Sequence, residues 1–111
     1  MSDKWVKLAQ RLIGLTSEGK LAWQDTSDDD VVQVVIGKNA IELESSGFHD
    51  FEIRVRDGSG KVVDRFSDAD LSEISNLNYA SALNSTYNLI RRQISGTEQV
   101  LDDLLDELGK K

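Results

Sequence analysis

From Leu83 to Leu108, the positions Leu83, Tyr87, Ile90, Ile94, Thr97, Leu101, Leu104 and Leu108 follow one another in alternating steps of four and three. A stripe of that period can be covered only if the segment is helical and lies along another helix or a sheet. Thr97 is its single member that is not a large apolar residue. The Ser95-Gly96 pair weakens the helix in the middle of this seam, since glycine costs about 1 kcal/mol relative to alanine inside a helix. Thr97 ahead of Glu98 also has the chemistry of an N-cap. The four-three spacing nevertheless crosses 95–97 in phase. The reading therefore favours one helix from about Tyr79 to Leu108, kinked at Gly96, over two helices joined there. At about 1.5 Å per residue such a helix would extend about 45 Å. Its end is expected to project or to pack on a second copy.

The rest of the 111-residue chain must supply what that seam packs against, and its length suits one domain with one core, residues 1–111. Trp5, Leu8, Leu12 and Leu15 repeat the helical spacing, widened by Ala9, Ile13 and Thr16. Ser2 or Asp3 can cap this helix and Gly19 can stop it. Its polar side carries Lys4, Lys7 and Arg11, read as a solvated face. Leu21 to Gln24 reads as a short strand, 25–30 as a polar loop, and the β-branched run Val31 to Ile36 as a buried strand. Ile41 and Leu43 alternate with Glu42 and Glu44, and Phe51, Ile53 and Val55 with Glu52, Arg54 and Arg56. Asp57-Gly58-Ser59-Gly60 is a hairpin signal, with Lys61 to Phe66 as the returning strand. Glu42, Glu44, Glu52, Arg54, Arg56 and Asp64 are expected to share the solvent face. Leu71, Ile74 and Leu77 suggest a short helix ending near Asn76-Leu77-Asn78. The expected fold is α+β: an antiparallel meander of four or five strands, with the N-terminal helix and the long C-terminal helix packed on one face.

The segment Leu15-Thr16-Ser17-Glu18-Gly19-Lys20-Leu21-Ala22-Trp23 resembles a small group of bacterial proteins to which no activity is attached. In that group a leading helix runs into threonine, a glycine-lysine turn and a strand ending in tryptophan. Its C-terminal part is similar to Tyr87-Asn88-Leu89-Ile90-Arg91-Arg92, then Gly96 and the pairs Val100-Leu101 and Leu104-Leu105. The resemblance touches both ends and leaves the central strands unmatched. It implies a bacterial origin and carries no catalytic residue across.

Several chemistries are disfavoured by residue type. With no cysteine there are no disulfides, thiolate ligands or cysteine nucleophiles. A formal charge of −7 runs against phosphate-neutralising nucleic-acid binding. No apolar run approaches the roughly 18 residues of a membrane span, and the N-terminus lacks a leader's apolar core, so a cytoplasmic protein is expected. Gly58-Ser59-Gly60-Lys61 has Val55 and Val62 where a phosphate-binding loop needs glycine and Ser or Thr, so it reads as a hairpin turn. Asp25, Asp28, Asp29 and Asp30 lack calcium-loop spacing and read as a solvated loop. Asn84-Ser85-Thr86 falls in an expected helix and is set aside as a glycosylation site.

No catalytic residue, cofactor site or metal site is assigned. Asp102, Asp103, Asp106 and Glu107 crowd the end of the last helix, where acids oppose the helix dipole. Either Lys4, Lys7 and Arg11 pair with them across antiparallel terminal helices, or they form an acidic docking surface for a basic partner. The expected function is a non-catalytic protein–protein interaction module that uses its long C-terminal helix or its charged sheet face, forming a homodimer through that helix or binding another protein. Its candidate binding residues are Arg54, Arg56, Ile94, Leu101, Asp102 and Asp106. The alternative is a small enzyme or ligand binder with a pocket between sheet and helices around His49, Arg54 and Trp23.

Overall fold

The structure, a computed structural model, describes residues 3–47 and 50–109. The expected cap at Ser2 and the proposed base His49 lie outside the described residues. Helix α1 (Asp3–Ser17) buries Ala9, Leu12 and Thr16 on one stripe. It ends at Gly19, whose φ of 71° lets two helix-terminal carbonyls find donors: Gly19 N–H donates to Thr16 O (3.0 Å) and Lys20 N–H to Leu15 O (2.9 Å). The chain then turns back so that the Trp23 indole N–H donates to the Thr16 hydroxyl at 2.9 Å, both residues being buried. Gln93 closes the same corner by donating to the Thr16 carbonyl (3.2 Å). The threonine-to-tryptophan motif is thus a packing device. Replacing Thr16 with valine keeps its shape but strands the indole N–H, so Thr16→Val is expected to lower stability by about 2 kcal/mol. Thr16→Ser should lose less, which urea unfolding of the two variants would check.

Strands β1 (Gln24–Asp25), β2 (Val31–Ile36), β3 (Asn39–Ser45), β4 (Phe51–Arg56) and β5 (Val62–Ser67) form an antiparallel sheet in chain order. Period-two alternation sorts their faces. The cross-strand row Val32, Leu43, Ile53 and Phe66 faces the helices and is buried throughout. At the β4–β5 turn, Asp57 accepts bonds from the Ser59 hydroxyl (2.6 Å), Ser59 N–H (2.9 Å) and Lys61 N–H (3.1 Å). These bonds, the Ser59 hydroxyl foremost, hold its carboxyl below the usual aspartate value.

Ser67 ends β5 and also caps α2 (Asp68–Ser75): its hydroxyl accepts from Asp70 N–H while Asp70 accepts from Ser67 N–H. Buried Asp68 accepts the Phe51 N–H at 2.9 Å, tying α2 to β4. Helix α3 (Tyr79–Ser95) is capped by Asn78 and buries Tyr79, Leu83, Thr86 and Ile90 against the sheet, α1 and α2. Helix α4 (Thr97–Gly109) follows after one residue.

Four expectations are corrected. The long C-terminal helix is two helices, because Gly96 adopts φ 67° and its N–H closes on Arg92 and Gln93 carbonyls, a left-handed stop that glycine accepts without strain. Only α3 packs on the sheet; α4 buries no residue. The first strand is Gln24–Asp25 rather than Leu21–Gln24, since the indole of Trp23 is held in the core by Thr16. Asp64 lies in the row of Val34, Ile41 and Val55, on the helix-covered side, because Phe66 must point inward and Asp64 alternates with it. There it accepts the Trp5 indole N–H (2.8 Å), and the Trp5 ring stacks on Phe66 at 4.9 Å.

Candidate functional site

The charged sheet face is a closed network. Register places Glu44 directly opposite Glu52, and Arg54 directly opposite Arg65, like-charge pairs that a bare sheet would resist. Arg54 resolves the acidic pair by bonding Glu44 and Glu52 with one guanidinium nitrogen and Glu42 with another (3.1 Å). Arg56 adds a second ion pair to Glu42 (3.1 Å) and donates to Gly60 O. The Arg54 side chain is only 17% exposed. Burial works against its charge, yet the bonds to Glu44, Glu42 and Glu52 outweigh it and raise the guanidinium pKa. Its Nε and Nη1 donors are engaged within the chain, so this face holds the sheet together more than it offers a site.

Arg91 does comparable work at the other edge, bonding the Tyr87 hydroxyl and Asp25 and so tying α3 to β1. Burial again opposes its charge, and the Tyr87 and Asp25 contacts outweigh it. In the acidic loop, Asp28 accepts from Asp30 N–H, and Thr26 bonds across the turn to Asp28 and Val31. Among the described residues no His, Asp or Glu cluster has the arrangement of a metal site, and no helix is long and apolar enough to cross a membrane.

The apolar surface lies elsewhere. Val100, Leu101, Leu104, Leu105 and Leu108 line one side of α4 and are 44–68% exposed. Asp103 and Glu107 run along one margin of that stripe, Glu98 and Asp102 along the other, with Asp106 behind. Ile94 is different: it is half-buried against the domain's own core. Of the expected binding residues, Leu101, Asp102 and Asp106 therefore sit together on exposed α4, whereas Arg54, Arg56 and Ile94 are engaged inside the domain. The ion pairs expected between α1 and α4 are not formed by Lys7 or Arg11, which make none among the described residues; α4 contacts α3, to which Gly96 joins it, and buries no residue there.

A second apolar feature escaped the sequence reading. An open groove of about 320 Å³ lies between α1 and the start of α3, lined by Ile13, Gly14, Tyr79 and Ala82 together with Leu77, which is 61% exposed. Its residues come from two distant segments, so no local periodicity reveals it. The available signal was Gly14 itself, a glycine inside a helix with no turn to explain it. Comparison with protein-family models, curated proteins and solved structures finds no match.

Proposed function

We propose that the protein is a non-catalytic protein–protein interaction module whose binding element is α4. The carrying observation is that this helix places five large apolar side chains on one side and buries none of its residues. A 13-residue helix is marginal in water on its own, and Asp106 and Glu107 in its last turn oppose its dipole. Covering even half of that stripe would contribute several kcal/mol, at roughly 1.5–3 kcal/mol per fully buried side chain. Patches of this kind mark interaction surfaces. The α1–α3 groove is walled by apolar side chains with Gln10 and Asn78, and the groups with displaced pKa values, Arg54, Asp57 and Arg91, are each held by separate structural contacts. That distribution favours binding over catalysis.

The test compares the full chain with the double variant Leu101→Asp/Leu104→Asp as immobilised bait. Both should give the same far-UV circular dichroism spectrum, because neither side chain is buried. At least one protein, the chain itself included, should be retained by the first and lost by the second. Identical captured sets would remove α4 as the binding element.

A further inference from the structure

We infer that the α4 stripe of one copy seats in the α1–α3 groove of a second copy, and that two such contacts, made reciprocally, close a two-fold dimer. The inference rests on α4 being the binding element and names its partner.

Three observations select this occupant. First, α4 cannot fill the groove of its own chain. The groove lies at the start of α3 and α4 leaves from its end, about 25 Å away along the helix. An antiparallel return would need a connection of about two to five residues, and Gly96 alone joins the two helices.

Second, the charges match across copies and not between like helices. Thr97–Gly109 holds five acids and no base, so pairing α4 with α4 would bring acidic margins together. On α1, Lys7 and Arg11 each stand three residues before a groove-lining position, Gln10 and Gly14, and so neighbour them on the helix surface; both cations are exposed and in no ion pair among the described residues. An acid-flanked apolar helix laid on an apolar groove with cations beside it satisfies both surfaces.

Third, Gly14 has no use within its own chain. A Cβ built there meets nothing within 4 Å, and its φ is not positive. Glycine inside α1 weakens the helix relative to alanine without any compensating contact in the monomer. A groove lining without a side chain at Gly14 permits the close approach of another helix. One docked helix of 13 residues makes a small contact; reciprocal exchange doubles it and closes the assembly with no free end.

The test is solution mass by light scattering over a concentration series, at low and high salt. The full chain should be a dimer that weakens as salt rises. Leu104→Asp, which spoils the donor helix, and Gly14→Leu, which fills the acceptor groove, should each weaken the dimer at least 100-fold. Gly14→Leu should keep the parent's far-UV circular dichroism spectrum and a cooperative unfolding transition, so loss of the dimer cannot be assigned to misfolding. Mixing the two variants should restore a heterodimer weaker than the parent dimer, because it keeps one of the two contacts. A dimer lost with Leu104→Asp but kept with Gly14→Leu would overturn the groove as the acceptor. A monomer at every concentration would overturn the inference. It would leave α4 as the binding element if the bait comparison still shows α4-dependent capture, and would remove both if it does not.

Discussion

Phe51→Ala is expected to lower the free energy of unfolding by about 4 kcal/mol, as truncation of a buried phenylalanine does. The side chain is 2% exposed, its ring lies 6.0 Å from that of Tyr87, and its backbone N–H is held by Asp68. Three elements therefore meet at one residue: β4, α3 and the start of α2. A domain of this size is stable by only about 5–15 kcal/mol, so the variant should sit close to its unfolding threshold at physiological temperature. Urea unfolding would show a lower midpoint at unchanged slope. Phe51→Leu, which fills more of the space, should recover more than half of the loss. A loss below about 1 kcal/mol for the alanine variant would mean that the strand end and α3 are not packed as described.

Arg54→Ala is expected to cost about 2–3 kcal/mol, although Arg54 points away from the core. Exposed ion pairs contribute about 0–1 kcal/mol, and breaking a buried one costs about 3–5 kcal/mol. Arg54 lies between these limits because its side chain is 17% exposed and serves three carboxylates. Without it, Glu44 and Glu52 face each other directly across the β3–β4 pair. A second substitution, Glu44→Gln, should cost less in the Arg54→Ala background than in the parent. Additive losses in that double-mutant cycle would show that Arg54 acts through its methylenes rather than its charge.

Much of the fold is legible in the residues because the sheet is built by alternation. Phe51, Ile53 and Val55 against Glu52, Arg54 and Arg56 leave one orientation for β4, and short turns leave one order for its neighbours. Spacing fails at Gly96 for a specific reason. Apolar period measures where side chains would fall on a continuous helix, and it is blind to a single left-handed φ between two helices that are each amphipathic. The strand-edge aspartate Asp64 was misplaced because charge suggested solvent, whereas its position next to Phe66 and the Trp5 indole decides its side. The exposed stripe of α4 was visible as half of the seam, but its separation from the core was not. The groove required two segments more than sixty positions apart in sequence, Ile13 and Leu77 among them, to be seen together.

Every strand pairs with its neighbour in the chain, whereas α1 must join α3, with Gln93 reaching the Thr16 carbonyl from 77 residues away. Contacts close in sequence form early, and distant ones wait for loop closure. During synthesis α1 is therefore made well before α3, against which it packs. Trp5 has partners once β5 supplies Phe66 and Asp64, but the α1–α3 contact, with Gln93 on the Thr16 carbonyl, waits until most of α3 has been translated. At about 5–20 residues per second that interval lasts several seconds, during which the face of α1 that meets α3 stays open to other chains.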